Sequence, residues 1–207
     1  MPPGRSLLDT RHHVSTVLRP RLHRDRPVER PTDSRPAVRA LGIDPGLTRS
    51  GWALVAVERG QYRLLESGVI QPHSDAGTDD LGGRLADGYQ RFVSILEMTH
   101  PTLVTVEDLF TTPKFPKSAL KMAHLRGVFC LAVAQAGIPL LAMTATTVKQ
   151  RLTGNGHASK EQVQRMVLQL CDVRAENVPS DLSDAIALAI AGLHQVGMNA
   201  LMDRGRR

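Results

Sequence analysis

The chain of 207 residues is 42% hydrophobic and only 3% aromatic, enough for one core-bearing domain of ordinary size. It has no apolar run near the roughly 20 residues that span a bilayer and no continuous apolar leader. Its formal charge is +6 and its isoelectric point near 9.9, so a polyanionic partner is expected wherever that basic charge is concentrated. A soluble, unsecreted, cytoplasmic protein is predicted, and its two cysteines, Cys130 and Cys171, stand singly in apolar surroundings as small buried hydrophobes.

Residues 1–39 hold nine Arg and no Lys against four acids, a net of +5, which leaves only +1 for the rest of the chain. With six prolines and almost no apolar periodicity, residues 1–38 bury too little surface to offset ordering entropy and read as a disordered Arg/Pro-rich extension. A start assigned too far upstream, with a natural beginning near Val38, is the favoured account because a strand follows at once. A basic DNA-binding arm and an Arg-rich targeting segment are the other readings, the second opposed by the four acids and the scarcity of Ser.

From Arg39 the pattern predicts a strand to Ile43, a strand from Gly51 to Val57, a turn at Arg59-Gly60 and a strand from Tyr62 to Ile70, a three-stranded antiparallel meander. Leu81, Leu85, Tyr89, Phe92 and Leu96 recur at helical spacing until Pro101, and Thr102 to Val106 reads as a buried strand ending in Glu107. A helix from Lys117 or Ser118 to Ala136 is stopped by Gly137 and followed by a strand from Ile138 to Met143. A short helix from Thr144 to Leu152, a Gly154-Asn155-Gly156 turn and a helix from Ser159 to Cys171 come next, the last with Ser159 and Gln162 at capping-box spacing. The final helix opens at Ser180 or Asp181 and carries Ala185 to His194, with residues 197–207 read as a polar tail. The result is an α/β domain over residues 39–196, a mixed five-stranded sheet with helices on both faces.

No Asp or Glu occurs from Leu109 through Lys160, a stretch of 52 residues that contains Lys114, Lys117, Lys121, Arg126, Lys149, Arg151 and Lys160. Such one-signed charge is a candidate phosphate-binding face, against the plainer reading of scattered surface charge. The acids lie elsewhere. Asp44 precedes Pro45-Gly46 at a strand end, Glu107 closes the later strand, and Asp181 and Asp184 share one face of a helix start. Turn formation accounts for Asp44 alone and helix capping for one Asp of the pair, but neither accounts for the set. Four converging carboxylates repel one another unless cations neutralise them. Hard oxygen ligands suit magnesium or manganese, and two ions about 4 Å apart can activate water and stabilise the leaving oxygen of a phosphodiester. An acidic metal site beside an acid-free basic stretch suggests a nuclease.

The chain closely resembles the RuvC family of Holliday junction resolvases, within the ribonuclease H-like superfamily. The resemblance rests on Leu41-Gly-Ile-Asp-Pro-Gly46, Val106-Glu107 with Phe110, Ser118-Ala-Leu-Lys121 with Arg126-Gly127, Val148-Lys149-Gln150, Gly154-Asn-Gly156 with Lys160, and Asp181-Leu-Ser-Asp184-Ala185. It implies that Asp44, Glu107, Asp181 and Asp184 are catalytic and hold Mg2+, two ions per subunit with Mn2+ able to substitute. Lys149 and Lys160 would lie near the scissile phosphate, and Phe110 would stack on an unpaired base. The resemblance further implies a homodimer that nicks a four-way junction symmetrically in recombination and repair, with the RuvA and RuvB branch-migration proteins as partners. The helix from Ser118 to Ala136, with its long apolar face, is the candidate dimer interface.

Three features depart from the family pattern: the N-terminal extension, Pro113 and Pro116 in the loop that carries Phe110, and Arg49-Ser50 after the first turn. Two readings from other classes compete with an endonuclease. One is a noncatalytic branched-DNA-binding module whose acids only cap helices. The other is an actin-like ATPase, opposed by a chain too short for the second domain that fold needs.

Overall fold

The computed structural model describes residues 38–46, 48–73, 80–108, 116–173 and 178–204; residues 1–37 of the expected extension, and Phe110 and Lys114, lie outside them. In chain order the elements are β1 (Arg39–Asp44), β2 (Ser50–Glu58), β3 (Gln61–Ile70), α1 (Leu81–Thr99), β4 (Leu103–Glu107), α2 (Pro116–Gln135), β5 (Leu140–Met143), α3 (Ala145–Thr153), α4 (Lys160–Leu170) and α5 (Ser180–Arg204). The five strands form one sheet in the order β3-β2-β1-β4-β5. The first three are antiparallel, and β4 and β5 add parallel to β1 and to each other. This is the mixed, five-stranded ribonuclease H-like arrangement expected, with β1 at its centre.

Local sequence explains the boundaries. The β2–β3 hairpin turns through Arg59 at φ 52° and Gly60 at φ 78°, the paired positive values that a right-twisted two-residue hairpin requires. Asp80 caps α1 by accepting from the Gly83 amide at 2.9 Å, and left-handed His100 followed by Pro101 ends it. Thr144 caps α3, and α4 opens on the expected capping box of Ser159 and Gln162.

Two expected boundaries move. Strand β5 begins at Leu140 rather than Ile138, because the Ile138 amide is spent on the Val133 carbonyl at 3.2 Å and Pro139 has no amide to give. The polar tail expected after Gly197 is helix through Arg204. A single Gly costs a helix only about 1 kcal/mol, and Met198 to Met202 contains no breaker to add to it.

Period-two alternation divides the sheet into unlike faces. Leu41, Ile43, Trp52, Leu54, Val104 and Val106 pack against Phe92, Ile95 and Leu96 of α1 and Leu125, Phe129 and Val133 of α2. The opposite face, with Ala40, Ala53, Val55 and Leu103, is covered by α5, over which α3 and α4 lie. Helix α5 is therefore buried on all sides through its middle, with Ala185 through Ala191 at most 3% exposed. Its approach to the sheet is close enough to demand glycine. A Cβ on Gly42 would stand 2.0 Å from the Ala185 carbonyl oxygen, and one on Gly51 would stand 2.0 Å from that of Asp181.

The cysteines are unpaired, Cys171 buried as expected but Cys130 only half-buried on α2. Burial pushes the Cys171 thiol up to about 12, which leaves it inert at neutral pH. Among the described residues, no helix is long and apolar enough to cross a membrane.

Candidate functional site

Asp44 and Glu107 end adjacent parallel strands whose last paired rung is Ile43 with Val106. Both belong to the alternation that faces α5, being in step with Gly42 and Leu103 rather than with Ile43 and Val106. The turn after Asp44 is closed by Ser50, whose hydroxyl accepts from the Gly46 amide at 3.0 Å and donates to the Gly46 carbonyl at 2.9 Å. The end of β4 is clamped in a different way. Arg126 Nε donates to the Glu107 carbonyl at 2.8 Å and its Nη2 to Asp108 Oδ1 at 3.0 Å, while the Asp108 amide bonds the Met143 carbonyl at 2.8 Å.

The first turn of α5 supplies the other two acids, brought in by the contact of Gly51 with the Asp181 backbone. Their carboxylates are engaged by cations. Arg49 Nε donates to Asp181 Oδ2 at 3.0 Å, and Lys160 Nζ lies 3.7 Å from Asp184 Oδ2.

The electrostatics register the convergence. The Asp44 carboxyl is pushed up to about 8, first by burial and then by the charges of Glu107, Asp184 and Asp181, with a hydrogen bond to Glu107 as well. Glu107 and Asp184 are also raised, burial being the largest cause for each, while Lys149 and Lys160 pull both the other way. The Asp44–Glu107 pair thus retains a proton near neutrality, because two buried carboxylates side by side cannot both ionise cheaply. Anionic oxygens that repel one another in a half-buried setting are the chemistry a hard divalent cation neutralises. Among the described residues, no three His, Cys, Asp or Glu side chains close around a single metal position; Arg49 and Lys160 hold the two helix carboxylates instead.

The basic residues separate into groups that their spacing did not distinguish. Lys149 on α3 and Lys160 at the start of α4 act on the carboxylates. Arg126 is spent on the end of β4. Arg151 turns to the protein interior, donating to the Ala191 carbonyl and Met143 Sδ, each at 3.4 Å, and to Gln195 Oε1. Lys117 and Lys121 lie on α2 with side chains outside the described set, as Lys114 and Phe110 are altogether. Arg49, which the sequence marks only as a departure from a pattern, stands inside the site. The one signal for it was a lone cation in the turn that carries Asp44.

A family model described as crossover junction endodeoxyribonuclease RuvC matches residues 40–192. The chain belongs to the RuvC family. A Rhodopirellula baltica RuvC is 35% identical over 161 residues, covering 78% of this chain and 88% of that protein. Thermus thermophilus RuvC is 32% identical with a TM-score of 0.70, covering 78% of this chain and 97% of that one. The same protein in complex with a Holliday junction substrate is 30% identical with a TM-score of 0.67, covering 78% of this chain and 96% of that one. The matched RuvC region contains all four carboxylates, Lys149 and Lys160.

Proposed function

We propose that this RuvC-family protein is a structure-selective DNA endonuclease that resolves four-way junctions by paired, symmetric nicks, in cytoplasmic recombination and repair. The observation that carries the reading is the convergence of Asp44 and Glu107, at adjacent strand ends, with Asp181 and Asp184 of the first turn of α5, close enough that all three neighbours raise the Asp44 carboxyl. Such repulsion is costly to maintain, and a cation-binding role explains it.

Asp44, Glu107 and Asp184, with Asp181 at the rim, would hold Mg2+, two ions per subunit, with Mn2+ as a substitute. The bound ions supply activation of water and neutralisation of the charge that develops on the leaving oxygen. The protein's part is to place charges. Asp44 and Glu107 are fixed by adjacent strand ends, so their separation is set by the sheet. Lys149 and Lys160, both felt by Glu107 and Asp184, put positive charge where a phosphodiester must approach these acids, and they favour the more negative transition state.

Symmetric cutting needs a two-fold axis, and α2 offers the surface for it. Leu120 and Leu131 are 62% and 52% exposed and, eleven residues apart, fall on one stripe of the helix, with exposed His124, Gly127 and Ala134 along it. RuvA and RuvB are the partners proposed from family membership. Phe110, Lys114, Lys117 and Lys121 are proposed as further DNA contacts.

The test incubates the purified chain with a synthetic four-way junction and a matching linear duplex, in Mg2+ and in chelator. Paired nicks confined to the junction and dependent on Mg2+ are expected. Junction binding without cutting, across several junction sequences and with Mn2+ also supplied, would overturn the endonuclease in favour of a binding module.

A further inference from the structure

Arg49 is the charged group at the site to which the reading above gives no work. Its Nε reaches Asp181 Oδ2 at 3.0 Å, and the two side chains are 48% and 32% exposed. An ion pair so open to solvent adds little to stability, so holding the fold together does not account for it. Its placement is well defined at the root. The following residue, Ser50, is fully buried and staples the turn through both its contacts with Gly46.

A guanidinium has five N–H donors in a rigid planar fork, suited to two oxygens of one phosphate. Among the described residues only the Nε of Arg49 has a partner. The Nη groups are thereby left without a described partner, on a side chain that Asp181 tethers beside the carboxylate cluster. Lys149 and Lys160 come to this cluster from α3 and α4, whereas Arg49 comes from the β1–β2 turn. A strand laid over the acids would therefore meet cations from separate elements of the fold.

We propose that Arg49 is a phosphate-binding residue of this site and that Asp181 is its orienting partner. The inference rests on the DNA-cleaving reading for its substrate, but it predicts binding behaviour that needs neither metal nor cutting. By it, Asp181, at the rim of the cation site, also sets where the Arg49 side chain is held.

The experiment titrates the full chain and its Arg49→Ala, Arg49→Lys, Asp181→Asn and Arg49→Ala/Asp181→Asn variants with labelled four-way junction and linear duplex, in chelator, over about 50 to 200 mM salt. Arg49→Ala is expected to weaken binding about three- to tenfold and to reduce the slope of log K against log salt by about 0.9, the loss of one phosphate contact. Arg49→Lys should keep the slope and lose part of the affinity, because a point charge replaces a fork. Removing the acid alone ordinarily favours DNA by relieving repulsion. Asp181→Asn should therefore tighten binding in the Arg49→Ala background and fail to do so when Arg49 is present.

An unchanged slope for Arg49→Ala, or an Asp181→Asn effect that is the same in both backgrounds, overturns the proposal. Arg49→Lys, checked by its melting curve, keeps the test decisive if Arg49→Ala does not fold. A wild-type chain that binds DNA but never cuts defeats the endonuclease reading while the salt slopes still decide this one. A chain that binds neither DNA defeats both.

Discussion

The two faces of the sheet are made by the same strands yet built on opposite principles. Toward α1 and α2 the strands present Leu41, Ile43, Trp52, Leu54, Val104 and Val106, large side chains that hold the helices off and fill the space between. Toward α5 they present Ala40, Gly42, Gly51, Ala53 and Thr105, and the helix backbone comes down almost onto the strands. The first face obtains stability from apolar volume. The second gives up volume for proximity, and that proximity brings acids from three distant parts of the sequence to one place.

The contrast can be broken most severely at the chemistry itself. Asp44→Asn should lower junction cutting by about a thousandfold or more, judged by the usual worth of a group that stabilises transition-state charge, while junction binding measured in chelator persists. Next in size are two packing changes, one on each face. Phe92→Ala removes a ring 4.5 Å from that of Phe129 and should cost about 3–5 kcal/mol by denaturant unfolding, with the folded fraction still cutting. Gly51→Ala forces a methyl against the Asp181 backbone. It should cost about 1–3 kcal/mol and should also depress the activity of the folded protein, because the acids of α5 shift.

An effect of comparable size sharpens the comparison through pH. Folded Asp44 holds its proton up to about 8, whereas the ordinary value is 3.8. Between those values the folded state binds the extra proton, so the metal-free protein should lose stability as pH climbs from about 4 to 8, on the order of a few kcal/mol. Thermal melts in chelator should show the decline, Asp44→Asn should flatten it, and Mg2+ should reverse it at the alkaline end. The smallest effect concerns Arg151. Its alanine variant should lose about 1–2 kcal/mol with its bonds to Ala191 and Gln195, and it should leave the salt dependence of DNA binding unchanged.

Much of this was legible beforehand because it is local. The hairpin at Arg59-Gly60, the capping box at Ser159 and the antiparallel meander of the first three strands all follow from neighbouring residues. The four acids were legible because strand ends and helix starts put carboxylates at one end of such a sheet. The directions of the guanidinium groups were not. Arg49, Arg126 and Arg151 look alike in the sequence, yet one meets an acid 132 positions away, one clamps the end of β4 and one faces inward. Each outcome depends on a partner that only the assembled fold supplies. The length of α5 past Gly197 was missed because residues 197–207 were read as a polar tail, although one Gly is outweighed by the breaker-free run that follows it.

The rung that pairs Asp44 with Gly51 has a consequence for how activity arises during folding. Gly51 is the residue on which the start of α5 rests, so the partner of the first acid is also the seat of the last two. A slip of one position between β1 and β2 would turn Trp52 toward α5, where there is no room for an indole, and would lift Asp181 and Asp184 away from the strand ends. The acids therefore cannot gather in a misregistered chain. The register of the central hairpin is thus a precondition for bringing the acids of the strands and of the helix together.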